Sequence, residues 1–312
     1  MNTNKKCIFS IIIPIYYNEL NLPHTVKRLI ELQKLIPNYE IEYIFVDDGS
    51  GDNSLALLLD YKKQYKNIKI VKLSRNFGSM AAIQAGLDHV KGSCIGVISA
   101  DLQEPPELFA EMIASWEQGN KIVMAARAGR EDPINQKIFS NMFYLLLDKL
   151  ALRGYPRGGF DFVLFDRQVL DEIKLIDEKN TNIMNLLFWT GHAQAVIPYT
   201  RKKRTIGKSK WTLSKKVKLF IDSFVNFSYA PIRIMSLIGI ATSLVSFLYG
   251  IFIVFNRLFN NIVVEGWTSI AAIISFLLGI IMFMLGIIGE YLWRILDETR
   301  KRPSFIVDEI FE

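Results

Sequence analysis

The sequence predicts an α/β domain built on a mainly parallel sheet, followed by a helical hairpin apolar enough to cross a membrane. Three observations point there. Five apolar runs of strand length between residues 8 and 125 alternate with stretches of helical spacing. Polar clusters follow the first four runs, two of them carrying carboxylates beside small residues. Two later stretches, 234–255 and 268–289, hold 22 residues each without a charge.

The strands are expected at Ile8–Ile13, Ile41–Val46, Ile68–Leu73, Cys94–Ile98 and Ile122–Ala125. Helical spacing fills Leu20–Ile36, Asn53–Tyr65, Met80–Val90 and Pro106–Gln118. In such sheets ligands sit beyond the strand C-termini. Tyr16 and Glu19, Asp47 and Asp48, Ser74 to Asn76, and Ser99 to Gln103 should therefore converge on one edge. A further helix is expected over Pro133–Leu152, then a turn through Gly154, Pro156, Gly158 and Gly159. Strands follow at Phe160–Phe165, leading into a helix, and at His192–Tyr199. Lys5-Lys6 ahead of an apolar run resembles a signal peptide, but the run holds Pro14 and ends in Asn18-Glu19, so it reads as a first strand. Cys7 and Cys94, far apart in sequence, read as buried thiols of a reducing compartment.

Trp211 to Tyr229 alternates basic and apolar residues in the manner of a helix lying on a membrane surface, although packing on the soluble core would give the same pattern. Each uncharged stretch spans ~33 Å as a helix, enough for a ~30 Å hydrocarbon core. The short connector makes the pair a hairpin with both outer ends on one side. Those ends carry Arg233, Arg294 and Arg300-Lys301-Arg302, while the connector has only Arg257 and Glu265. The positive-inside rule then places the large domain and the tail in the cytoplasm, on a multi-pass protein of the inner (plasma) membrane. The expected organisation is a catalytic domain over 1–210, an amphipathic juxtamembrane helix over 211–231, two transmembrane helices over 232–293 and a cytoplasmic tail over 294–312. Two helices per chain leave room for a homo-oligomer without requiring one.

The formal net charge of +6 is local. Nine Lys or Arg residues and no acid lie between Arg201 and Lys218, which leaves the remainder at −3. A basic block just before a membrane segment fits lipid headgroups and phosphate ligands. No DNA- or RNA-binding motif accompanies it, which argues against nucleic acid.

The chemistry rests on a few segments. In Asp47-Asp48-Gly49-Ser50 a carboxylate after a strand can accept hydrogen bonds from a base or ribose, though a plain Asp-Gly turn looks the same. In Ser99-Ala100-Asp101-Leu102-Gln103 a carboxylate and an amide oxygen at alternate positions can face one hard cation, Mg²⁺ or Mn²⁺; the alternative is an Asp capping the helix at Pro105-Pro106. Arg127, Arg130, Arg201, Arg204, Lys208 and Lys210 are candidate phosphate contacts, each of them also readable as a solvated charge. Asp161 can accept a proton or cap its turn.

Five segments carry a resemblance. They are Ile12-Ile13-Pro14-Ile15-Tyr16, Val46-Asp47-Asp48-Gly49-Ser50, Leu73-Ser74-Arg75-Asn76-Phe77-Gly78, Ala100-Asp101-Leu102-Gln103-Glu104-Pro105-Pro106-Glu107 and the stretch from Arg201 to Trp211. With the hairpin and the tail they resemble family 2 glycosyltransferases of the polyprenyl-phosphate type, similar to dolichol-phosphate mannose synthases and bacterial bactoprenol glucosyltransferases. The resemblance implies a glycosyltransferase-A (Rossmann-like) fold and inverting transfer of one hexose, by similarity UDP-glucose first, onto undecaprenyl or another polyprenyl phosphate. It implies a nucleotide site at Pro14, Tyr16, Glu19, Asp48, Arg75, Asp101 and Gln103, with Mg²⁺ or Mn²⁺ on Asp101 and Gln103. Arg127, Arg130, Lys137, Ser140, Arg201, Arg204, Lys208 and Lys210 would meet phosphates or the lipid head, and Asp161 would join Asp101 as a catalytic residue. The chain departs from the family where Ser99 replaces an Asp, where a residue is added ahead of Asn18-Glu19, and where Val163 replaces an Arg. The rival readings are a processive polysaccharide synthase, which lacks its Gln-x-x-Arg-Trp segment here, and a non-catalytic membrane adaptor.

Overall fold

The computed structural model describes residues 6–101, 103–129, 134–156, 158–176, 178–179, 181–201, 213–259 and 266–312. The first half alternates strictly. Strands β1 (Cys7–Ile15), β2 (Tyr39–Asp47), β3 (Ile68–Leu73) and β4 (Cys94–Val97) are followed in turn by helices α1 (Leu22–Leu32), α2 (Ser54–Gln64), α3 (Ser79–Leu87) and α4 (Leu108–Glu117). β1 pairs in parallel with both β2 and β4, and β2 with β3. The near-continuous burial of Phe9 to Ile13 and of Tyr43 to Asp47 is what a parallel strand covered on both faces requires. Helix α1 begins with Pro23 in its first turn, where the missing N–H costs nothing, and buries Leu22, Val26 and Leu29 as one stripe.

The second half breaks the pattern. β5 (Ile122–Gly129), α5 (Ile134–Leu150), β6 (Phe162–Asp166), α6 (Arg167–Ile173), α7 (Ile183–Trp189) and β7 (Gln194–Thr200) complete the sheet, with β6 antiparallel between β4 and β5 and β7 parallel to β5. The sheet is thus mainly parallel, as expected, with β6 reversed within it. α5 and the 158–159 turn return the chain to the edge where β5 ended, so β6 has to start there and run back. Asp166 then caps α6 by accepting from Gln168 N at 2.9 Å.

Three fully buried rings tie the layers together. Phe109 of α4 meets Phe9 of β1 at 5.0 Å and Phe162 of β6 at 4.7 Å, both edge to face. Each such ring contributes about 2–3 kcal/mol of burial. Gly96 of β4 makes the approach possible, because a Cβ there would lie 2.5 Å from Phe109 Cε1.

Helices α8 (Leu213–Phe227), α9 (Ala230–Phe259) and α10 (Trp267–Thr299) follow. Within the last two, Ala230–Asn256 and Ala272–Thr299 are long and apolar enough to cross a membrane, and both are exposed along most of their length. Arg294 of α10 is buried against Glu290 and donates to Asn226 Oδ1 of α8 at 2.9 Å.

The last residues are more than a tail. β8 (Val307–Phe311) adds antiparallel to β3, giving a sheet ordered β7-β5-β6-β4-β1-β2-β3-β8 among the described residues. Residues 223–302 form one compact unit, and residues 1–222 with 303–312 form the other. Both cysteines are free; Cys94 is buried as expected, whereas Cys7, at the open start of β1, is exposed.

Candidate active site

The C-terminal ends of β1 to β5 and of β7 share one edge of the sheet with the start of β6, and the polar segments collect there. The loops after β1, β2 and β3 are laced together. Asp48 is buried and its carboxylate accepts from Phe77 N at 2.7 Å, Gly78 N at 2.9 Å and Asn76 Nδ2 at 2.8 Å. Gly49 sits at φ +68 with its Hα side against the next loop; a Cβ would lie 2.6 Å from Arg75 C and 2.7 Å from Asn76 N. Neighbouring Asp47 is held by Ser50 N, and burial pushes its carboxyl above the usual range. Arg75 is exposed and lies over the Phe77 ring at 4.1 Å.

Pro14 lies one residue before the end of β1, opposite Val46. Tyr16 N donates to Asn18 Oδ1, and the Tyr16 ring packs edge-on against Tyr17 at 4.7 Å. The added residue is absorbed at Tyr17, whose φ of 54 is left-handed and whose N–H reaches Ser50 Oγ at 3.0 Å. Glu19 turns to the start of α2, where it accepts from Asn53 N and Asn53 Nδ2 at 3.1 and 2.8 Å. Asp48 and Glu19, both expected beside a nucleotide, therefore also brace the loops that would frame one.

Asp101 follows β4 and is 9% exposed. Its Oδ1 accepts from Ser99 Oγ at 2.8 Å and Gln103 N at 3.2 Å. Glu104, which the sequence reading passed over, is buried beside it. Its Oε2 accepts from Ser99 N at 3.1 Å and lies 2.9 Å from Ser99 Oγ, and its Oε1 is buried without a partner among the described residues. Burial pushes the Glu104 carboxyl up, and Asp161 and Asp101 push the same way; Ser99 N and Arg201 oppose them. No trio of His, Cys, Asp or Glu gathers for a metal among the described residues.

Asp161 stands just before β6, half exposed, in an ion pair with Arg127 of β5, whose side chain is only 9% exposed. Tyr199 of β7 hydrogen-bonds Arg127, and its hydroxyl is pushed up to about 12, first by burial and then by Glu104. Arg201, at the end of the same strand, is half-buried. The structure thus unites Asp101, Gln103, Asp161, Arg127 and Arg201 around Glu104 and Tyr199, two residues without a prior role. Tyr199 could have been found from the alternation along β7, which points Ile197, Tyr199 and Arg201 to one face. Arg130, Arg204, Lys208 and Lys210 lie outside the described residues, as do the side chains of Lys137 and Ser140 in α5.

A sheet edge that gathers carboxylates, an amide and partly buried arginines beyond the strand C-termini marks the ligand edge of an α/β enzyme domain. The family model described as glycosyl transferase family 2 matches residues 10–174, and this chain belongs to that family. It is a glycosyltransferase. The uncharacterized glycosyltransferase YkcC of Bacillus subtilis is 39% identical over 305 residues, covering 97% of this chain and 94% of the relative. The bactoprenol glucosyl transferase of Shigella phage SfV is 32% identical over 299 residues, covering 96% and 97%. Among solved structures, a mannosyltransferase of Pyrobaculum calidifontis aligns over 62% of this chain and 55% of its own at 15% identity, with a TM-score of 0.46.

Proposed function

We propose that the chain transfers one hexose, glucose from UDP-glucose, to undecaprenyl or another polyprenyl phosphate at the cytoplasmic face of the inner membrane. One observation carries the reading. A site edge bearing Asp101 and Asp161 and two bare apolar spans of 27 and 28 residues belong to one chain, and that chain matches bactoprenol glucosyl transferases almost end to end. Apolar side chains such as Phe247, Leu248 and Phe283 are each more than half exposed along the spans, a surface that water would penalise and lipid would not. Basic residues at the outer ends of the hairpin support a cytoplasmic catalytic domain.

In the proposed reaction a lipid phosphate oxygen attacks the anomeric carbon as the bond to the nucleoside diphosphate breaks, inverting the centre. The phosphate attacks as an anion near neutral pH, so Asp161 orients it rather than having to act as a strong base. Arg127 holds Asp161 from beneath, and Arg201 adds positive charge beside the transferring groups. The all-oxygen donors of Asp101 and Gln103 suit Mg²⁺ or Mn²⁺, and the diphosphate and water would complete the shell. Such an ion, when bound, would neutralise charge developing on the departing diphosphate.

The test uses the full chain in detergent with radiolabelled UDP-glucose and undecaprenyl phosphate. A single-sugar lipid is expected, and D101N should lower its rate at least ~100-fold without moving the unfolding midpoint. A polymeric product, or transfer undiminished in D101N, overturns the reading. UDP-N-acetylglucosamine and GDP-mannose, tried in that order, test the donor.

A further inference from the structure

Glu104 is a buried acid at this edge that the reaction above does not use, and the fold has little need of it. Its side chain is buried, one carboxyl oxygen has no partner among the described residues, and no salt bridge reaches it there. A buried carboxyl so poorly partnered costs several kcal/mol, and an apolar side chain of similar volume would avoid that cost. Its placement is nevertheless firm. Pro105 and Pro106 follow directly, which restricts the backbone of residue 104, and the carbonyls of both prolines accept from the first turns of α4 at 3.1 and 3.0 Å.

From that anchored position Glu104 reaches back five residues to Ser99. Oε2 takes the Ser99 N–H and also meets Ser99 Oγ, so it holds both the backbone and the side chain. The same hydroxyl is 2.8 Å from Asp101 Oδ1. On the other side Thr25 Oγ1 donates to Ala100 O at 2.9 Å, pinning the middle of the segment to α1. Ser99 is therefore a link between two carboxyl groups, one buried and one facing the site, at the position where an Asp would have supplied its own carboxylate.

We infer that Glu104 is a positioning residue for Asp101: by fixing Ser99 it fixes the hydroxyl that orients the Asp101 carboxylate toward a metal-bound diphosphate. The inference rests on the role given to Asp101 above. Groups that orient a metal-binding residue are each typically worth 10–100-fold in affinity or activity.

The test is a cycle on the full chain, read by electron paramagnetic resonance of Mn²⁺ binding in the presence of UDP, with transfer kinetics alongside. S99A and E104L should each weaken Mn²⁺ binding about tenfold and lower kcat, leaving the KM for lipid phosphate unchanged. The double variant should be no worse than the weaker single variant, because both act through one link. E104Q, which keeps an acceptor for Ser99 N–H, should restore binding to within about threefold, and it carries the test should E104L fail to fold. Losses that multiply in the double variant, wild-type Mn²⁺ binding in S99A, or an E104Q as weak as E104L would overturn the inference while leaving the transferase reading intact. D101N separates the two: if it binds Mn²⁺ and UDP like the wild type, the metal role of Asp101 falls, and the positioning role falls with it.

Discussion

Gly49 offers a direct measure of how the site edge is built. Replacing it with Ala demands a left-handed Ala, which costs about 1–2 kcal/mol. The added Cβ would also lie 2.6 to 2.8 Å from three backbone atoms of residues 75 and 76, so no side-chain rotation can relieve the overlap. Overpacking of this kind costs about 1–3 kcal/mol, for a total near 2–5 kcal/mol. Relief requires the two loops to part by roughly 0.8 Å, which would stretch the Asp48 bonds to Phe77 N and Gly78 N past hydrogen-bonding range. G49A should therefore lower both the unfolding free energy and the affinity for UDP, the latter at least about tenfold, since those bonds shape the loop beside the nucleotide. Gly78 is the control: its φ is +101, but nothing lies within 4 Å of a Cβ there. G78A should cost only the conformational part, about 1–3 kcal/mol, because its extended ψ of 158 at positive φ is a region kept almost wholly for glycine. Urea unfolding of the solubilised chain and calorimetric UDP titration would read both. A G49A that binds UDP normally would refute the account of the interlocked loops.

Two further outcomes follow from groups away from that edge. Asp166 accepts from Trp116 Nε1 at 2.8 Å and Gln168 N at 2.9 Å and pairs with Lys121; burial alone would raise its carboxyl, but these donors together hold it below the usual range. A lowered folded-state value means stability present above about pH 4 and lost as pH falls through it, so D166N should cost about 1–2 kcal/mol at pH 7 and progressively less in acid; a deficit independent of pH in urea titrations would contradict this. Removing residues 303–312 strips β8 from β3 and bares a strand edge, so the truncated chain should melt earlier and self-associate, whereas D308A, which breaks only an exposed pair with Lys72, should leave the unfolding midpoint where it is. Light scattering and thermal unfolding distinguish the two.

The parts of the fold that could be read in advance were those where burial leaves a local trace. β1 to β4 are covered on both faces, so each appears as a largely apolar run, and the loops behind them follow from parallel direction alone. β8 leaves no such trace. Its five residues carry two acids, exposed along an edge strand whose partner is more than 230 positions away in sequence, and they look like any polar tail. The reversed direction of β6 was equally hidden, because an apolar run has no orientation until the path of the preceding turn is known. α7 shows the same ambiguity: Ile183–Trp189 is a short apolar run without a visible period.

The site divides along a similar line. A motif names residues by type, and type identified Asp48, Glu19 and Asp101 as carboxylates near a ligand. It could not say how their oxygens are employed. Asp48 accepts three hydrogen bonds from one neighbouring loop and Glu19 accepts two from another, so their substitution would act through loop shape as much as through any contact with nucleotide. Asp101 accepts from Ser99 Oγ and Gln103 N within its own turn. Thr25 on one flank and Glu104, clamped by two prolines, on the other hold that turn. A serine at position 99 is tolerable at such a site because a hydroxyl can pass the constraint of one carboxyl group to the next, which neither an alanine nor an open turn could do.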